Sequence, residues 1–341
     1  MIDVMQKQIE DYLRHKMPQA EDVSVSGLFR IPGGASRETW SFDANWREKG
    51  KETGQGFIMR RDPDASVLET ERDVEYRVMD ALWETPVPVP RMFWLERDPQ
   101  WLDRPFVMMG RVDGCETNPV NLATGAPYTE ARPRIARRFV EVLAHIHGLD
   151  WRKLGLEFLD VPQSPAQCAP MEVDKWERVL DQEAIEPQPV LRAAFRWMRK
   201  HLPRPAQKIV LVHADFRWGN FLYDAEGEIR AFLDWEMVHL GDPMEDVAWA
   251  CIRPWRWAGG ELVGSIIERE EYYRLYEELS GNKVDRWAIH FWEVLGNVKL
   301  AAILLTGGRS FCEGRTRNIM MSVIGTSTRR LELEVMELLG V

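Results

Sequence analysis

The sequence predicts an α+β chain of two lobes, a small β-rich first lobe with one key helix and a larger, mostly helical second lobe. Three observations carry that reading. The first 113 residues run strands, helix, strands; long helical segments follow; and one β-rich insert, residues 208–236, interrupts those helices. A length of 341 residues leaves room for two domains at roughly 100 to 200 residues each, and the expected division is 1–113 and 114–341.

Ile2 to His15 places Ile2, Met5, Ile9, Tyr12 and Leu13 at helical spacing, an amphipathic opening helix. From Val23 the pattern becomes strand-like. VSVSGLFRI, the turn PGGAS, ETWSFDANW, a polar EKGKETGQ turn and GFIMRR predict a three-stranded antiparallel meander. Ser66 to Glu84 has the apolar spacing of a helix that stops before the proline-rich TPVPVP. RMFWLERD and RPFVMMGRV, joined by a DPQW turn, read as two further strands. Beyond Asp113-Gly114 the clearest helices are Glu130 to Leu149, Met171 to Gln182 and Val190 to His201. The insert then supplies KIVLVHADF and, about a DAEG turn, NFLYDAEGEIRAFLDWE, and helices resume from Met244.

Composition removes several classes of function. Hydrophobic residues at 45% and charged residues at 29% are the mixture of a chain that folds by itself. With 54 acidic against 44 basic side chains the net charge is -10, which argues against a nucleic-acid partner. Cys115, Cys168, Cys251 and Cys312 form no CxxC pair, so neither a disulfide framework nor a cysteine zinc site is expected, and a reducing cytoplasm suits them. The amino terminus carries charges throughout and does not read as a signal peptide. The most apolar stretch, 291–306, is broken by Glu293, Asn297 and Lys299, so no membrane insertion is expected. There is no repeat of solenoid period, and the oligomeric state is left open.

The strongest chemical signal is His213-Ala-Asp215-Phe-Arg-Trp-Gly-Asn220, with Asp234 following in FLDWE. An Asp in a loop can accept a hydroxyl proton, an Asn five positions on can ligate Mg²⁺, and a second Asp after a hairpin can complete the metal site. Together with Gly241-Asp242-Pro243-Met-Glu-Asp246, this order resembles the aminoglycoside phosphotransferase and choline kinase branch of the bilobed protein-kinase-like fold. The resemblance covers about residues 25 to 310. It implies Asp215 as catalytic base or hydroxyl orienter, Asn220 and Asp234 as Mg²⁺ ligands, and His213 and Asp246 as braces of the catalytic loop. Asp242 and Glu236 are read as capping or solvated acids before they are read as ligands. His145 and His147 match a family helix that supports the loop.

In the first lobe, Gly33, Gly34 and Ser36 lie where backbone N–H groups could approach nucleotide phosphates. A plain hairpin turn is the competing reading, and the position ahead of GFIMRR in a kinase-like lobe favours phosphate. Neither GxxxxGK[ST] nor GxGxxG occurs. No Lys lies between Lys51 and Lys153, so Arg60 or Arg61 must take the usual lysine's place, and strand alternation sends only one of them to the cleft. Arg60 paired with Glu75 is preferred, with Glu71 as the alternate partner; an LRR stretch followed by REYRVL, familiar in the branch closest to hydroxyacyl-CoA-associated kinases, supports it. PFVMMGRVDG resembles the family's PFYVMEYVDG, which makes Met109 to Arg111 the hinge for the base, with Gly110 where the family has Glu.

The resemblance therefore implies transfer of the γ-phosphate of ATP, with GTP as the other candidate nucleotide, to a hydroxyl of a small molecule. Of the 15 tryptophans, Trp255, Trp257 and Trp292 are candidates for an acceptor wall suited to an apolar or hydroxyacyl-type molecule. Core packing is the competing account of these rings. An antibiotic phosphotransferase is the alternative enzyme, and a silent nucleotide-binding scaffold the alternative of another class.

Overall fold

The structure is a computed structural model that describes residues 2–31, 38–62, 69–316 and 318–341, without the side chains of 69–71. It divides into two compact units, Met1–Cys115 with Arg230–Glu236, and Glu116–Ile229 with Met237–Val341. The segment Arg230–Glu236 thus joins the first unit, which a division into two contiguous stretches does not give.

The first unit opens with α1 (Ile2–Lys16), which buries Met5, Ile9, Tyr12 and Leu13 along one stripe. Five antiparallel strands follow: β1 (Glu21–Ile31), β2 (Glu38–Glu48), β3 (Lys51–Arg61), then after α2 (Glu69–Leu82) β4 (Met92–Glu96) and β5 (Phe106–Gly110), in the order β1-β2-β3-β5-β4. The α1 stripe packs with Phe42, Phe57, Met59, Phe106 and Met108 in one core. The polar turn after β2 is shorter than its composition suggests. Lys49 and Gly50 both take positive φ, 51° and 78°, so a two-residue turn suffices and Glu48 already pairs with Lys51. Alternation along β3 puts Phe57, Met59 and Arg61 on the side opposite Ile58 and Arg60.

The second unit contains α3 (Pro119–Thr124), α4 (Arg132–Gly148), α5 (Cys168–Glu183) and α6 (Pro189–Lys200). The β insert is β6 (Val210–Val212), β7 (Phe221–Tyr223), β8 (Ile229–Phe232) and β9 (His239–Gly241), with β8 passing out of this unit after Ile229. Strand β6 pairs antiparallel with β9, Val212 opposite His239, a three-residue partner too short to read as a strand in the sequence. Then come α7 (Pro243–Trp249), α8 (Arg269–Ser280), α9 (Arg286–Cys312), α10 (Ile319–Thr326) and α11 (Thr328–Leu339). Among the described residues α9 is long and apolar enough to cross a membrane, and 83% of its most apolar stretch is buried in the protein. It is the central helix against which α5, α6, α7, α10 and α11 pack. Gly264 takes φ +55° against the fully buried Trp218 indole, where a β-carbon would overlap the ring.

Candidate active site

In the second unit, β6 delivers the chain into His213-Ala214-Asp215. Ala214 has φ +66°, a left-handed conformation that costs a non-glycine residue about 1–3 kcal/mol. Several groups hold it there. Asp246, fully buried on α7, accepts the His213 N–H on Oδ2 and the Ala214 N–H on Oδ1, both at 2.8 Å. His147 of α4 lies 3.2 Å from Asp246 Oδ2 and 2.7 Å from the Tyr276 hydroxyl. The buried His213 ring accepts the Asp215 N–H on Nδ1 at 3.2 Å.

The Asp215 carboxylate is fixed by three donors. Oδ1 accepts from Arg217 Nε at 3.0 Å and from Trp249 Nε1 at 2.9 Å, and Oδ2 accepts from Asn220 Nδ2 at 2.5 Å. Each carboxylate oxygen has two acceptor sites, so Oδ1 is filled and Oδ2 keeps one. Asn220 also donates to the Asp215 carbonyl at 3.1 Å, which commits its amide nitrogen to the loop and leaves Oδ1 as its ligand atom. Arg217 lies 4.6 Å over the Trp255 ring, and Trp249, Trp255 and Trp257 follow one another at 5.4 and 6.2 Å.

Trp257 is 41% exposed, whereas Trp255 is buried beneath Arg217. Trp292 needs correction: it is 2% exposed and its indole donates to Asp242 Oδ2 at 3.2 Å, so it is a core residue and not an acceptor wall. Asp242 caps α7 by accepting the Met244 N–H at 2.9 Å, and burial pushes its carboxyl up to about 6. Arg217 and Lys299 were not among the sequence candidates. Arg217 is legible as the second residue after Asp215, while Trp249 and Lys299 join the loop through tertiary packing alone.

The first unit places Arg60 among carboxylates. Arg60 Nη1 donates to the buried Glu75 at 2.5 Å and Arg60 Nη2 lies 3.6 Å from Asp234. Burial opposes the Arg60 charge, but Glu75, Asp234 and Glu236 outweigh it and raise its pKa. Asp234 has φ +60° and its side chain is 41% exposed. Arg61 turns the other way, to Glu38 at 2.7 Å and to the Leu102 carbonyl at 3.2 Å. Gly33, Gly34 and Ser36 lie outside the described residues, as does the Glu71 side chain.

The hinge differs from its sequence reading. The Gly110 N–H is bonded to Arg91 O and the Arg111 N–H to Gly56 O, both at 2.8 Å, so these two donors hold the sheet. The Arg111 guanidinium is bound to Asp43 and Asp113 at 2.6 Å and to Ser41 at 3.2 Å, which makes it a tie between β5 and β2 and not a nucleotide contact. Met109 is 5% exposed between β3 and β4.

Behind the loop lies an ion network. His239 Nε2 is 3.1 Å from Glu245 and 3.7 Å from Glu172, and its Nδ1 bonds the Met237 carbonyl at 3.1 Å. Lys299 and Lys175 meet Glu245 and Glu172, each at 3.3 Å, so cations of the chain already balance these carboxylates. Burial opposes protonation of His239, yet the two glutamates outweigh it and hold its pKa above the usual histidine value. A raised pKa contributes stability that is fully present below about pH 6.5 and is lost as pH rises through the folded value. His239→Gln should therefore lose most stability relative to wild type at about pH 6 and progressively less at higher pH. Urea unfolding at several pH values measures this, and a gap that does not change with pH would contradict it.

Comparison with known proteins decides the family. A family model described as "Phosphotransferase enzyme family" matches residues 30–281. This chain belongs to that family. Among curated relatives of the phosphotransferase, acyl-CoA dehydrogenase family member 10 of Mus musculus is 28% identical over 262 residues, 73% of this chain and 24% of the relative. Acyl-CoA dehydrogenase family member 11 of Gallus gallus is 30% identical over 200 residues, 58% of this chain and 25% of the relative. The chain thus spans about a quarter of the length of these relatives. Among solved structures, a Ralstonia eutropha protein named for the aminoglycoside phosphotransferases superposes with a TM-score of 0.74 at 24% identity, covering 97% of both chains. An ethanolamine kinase of Plasmodium vivax gives 0.62 at 12% identity, covering 94% of this chain and 85% of its own. The fold is that of the small-molecule kinases.

Proposed function

We propose that this phosphotransferase moves the γ-phosphate of ATP to a hydroxyl of an apolar or hydroxyacyl-type small molecule. The observation that carries the reading is the Asp215 carboxylate, held by Arg217, Trp249 and Asn220 with one acceptor site left on Oδ2. There the acceptor O–H is oriented, its oxygen attacks the γ-phosphorus, the bond to the β,γ-bridging oxygen breaks, ADP leaves, and the hydroxyl proton passes to Asp215. Arg60, fixed by Glu75, is the phosphate-binding cation of the first unit. Gly33, Gly34 and Ser36 as phosphate-loop residues, and Met109 as part of the base-binding hinge, remain part of this reading on the strength of their sequence positions.

Asn220 and Asp234 are the residues for Mg²⁺. The committed amide nitrogen of Asn220 and the part-exposed carboxylate of Asp234 are oxygen donors of the kind a hard cation takes. When bound, Mg²⁺ neutralises charge developing on the phosphate oxygens.

Acceptor chemistry follows from the residues around Asp215. Arg217 and a run of tryptophans suit an anionic or apolar acceptor, whereas a polycationic sugar calls for carboxylates. The names of the acyl-CoA dehydrogenase relatives point the same way. Four free cysteines are consistent with a cytoplasmic location. ADP release should be screened over hydroxylated acyl-CoAs, free hydroxy acids, amino alcohols, sugars and aminoglycosides. Highest kcat/KM with a hydroxyacyl compound is expected. Preference for an aminoglycoside would replace this reading with the antibiotic one.

A further inference from the structure

We propose that Lys299 is a positioning residue for Asp215, acting on both its backbone and its side-chain support. The inference rests on the reading of Asp215 as the carboxylate that orients the acceptor.

Lys299 sits within α9 and is 2% exposed, a rare place for a lysine. Its ammonium donates to the Ala214 carbonyl at 2.6 Å and to Glu245 Oε1 at 3.3 Å. The same ammonium lies 4.6 Å over the Trp249 ring and 5.5 Å from that of Trp176. The Ala214 carbonyl belongs to the peptide that carries the Asp215 N–H, and that N–H is bonded to His213. One peptide plane is therefore held at both ends, by Lys299 and by His213. Trp249, under the same cation, donates its indole N–H to Asp215 Oδ1. Lys299 touches the peptide that carries Asp215 and one of the three donors to its carboxylate, without bonding the carboxylate itself.

A simpler role would be charge balance for the buried Glu245. The two roles separate at Lys299, because only positioning predicts that the Trp249–Asp215 bond depends on the ammonium and not on its ion pair. The indole N–H resonance of Trp249, assigned by its loss in Trp249→Phe and its displacement in Asp215→Ala, which removes the acceptor, reports that bond in the nucleotide-free protein. This readout does not require Asp215 to be catalytic, so it fails separately from the functional reading.

In Lys299→Met the Trp249 resonance should shift toward its Asp215→Ala position, with cooperative unfolding retained. In Glu245→Gln, where the ammonium stays, it should remain near wild type. With an acceptor that supports wild-type turnover, Lys299→Met should lower kcat by up to about 10²-fold while the Kd for MgATP changes little, the signature of a misplaced catalytic group. Should Lys299→Met fail to fold, Lys299→Gln carries the same expectation. An unmoved Trp249 resonance in a folded, uncharged variant overturns the proposal. So does an equal shift in Glu245→Gln, which would make charge balance the cause.

Discussion

Asp215→Asn should lower turnover by about 10²- to 10⁴-fold while MgATP affinity stays within a few-fold. The carboxylate accepts two donors on Oδ1 and one on Oδ2. An asparagine places its one carbonyl oxygen best where two donors converge, toward Arg217 and Trp249. Its amide nitrogen then occupies the Oδ2 position and turns the acceptor meant for the substrate hydroxyl into a donor. Asn220 keeps its second bond, to the Asp215 carbonyl, so the ligand assigned to Mg²⁺ stays in place. Phosphate transfer measured beside nucleotide binding on the same preparations checks this. Full activity in the variant would remove Asp215 from the mechanism.

Arg60→Ala should weaken MgATP binding by about 10- to 100-fold, the equivalent of about 1.5–3 kcal/mol for a charge-assisted hydrogen bond. Arg61→Ala should leave Kd nearly unchanged and lower stability instead. The two side chains leave β3 on opposite sides: Arg60 meets Glu75 and lies near Asp234, whereas Arg61 ties Glu38 to the Leu102 carbonyl. Removing Arg60 also strips an ion-pair partner from Glu75, which is 2% exposed, so thermal unfolding of each variant must accompany the calorimetry. Arg60→Lys should recover only part of the affinity, because a point ammonium cannot serve Glu75 and a phosphate with the geometry of a guanidinium. Equal losses in the two alanine variants would contradict the assignment.

Local structure in this chain was readable where one segment carries it whole. The α1 stripe, the alternation of β3 and the spacing of Asp215 and Asn220 each lie within a few residues, so periodicity and motif suffice. Contacts made across the second unit were not readable. Lys299 reads as a charge that interrupts an apolar run, yet packing of α9 brings it to the Ala214 carbonyl. Trp292 has the composition of an acceptor wall, but the buried Asp242 cap requires its indole N–H. Arg111 reads as a hinge residue because of its place after β5, while the acids that claim its side chain include Asp43 on a strand distant in sequence. The same limit hid the transfer of Arg230–Glu236 to the first unit, since chain order says nothing of which core a returning strand joins.

The central claim, that this phosphotransferase works on a magnesium nucleotide, is tested most directly by titrating ATP into the wild-type protein with and without Mg²⁺, and into Asp234→Ala, by calorimetry. Tight binding in the presence of Mg²⁺, weak binding without it, and loss of most of that difference in Asp234→Ala are the expected results. No binding heat from ATP or GTP with Mg²⁺ present would contradict the account.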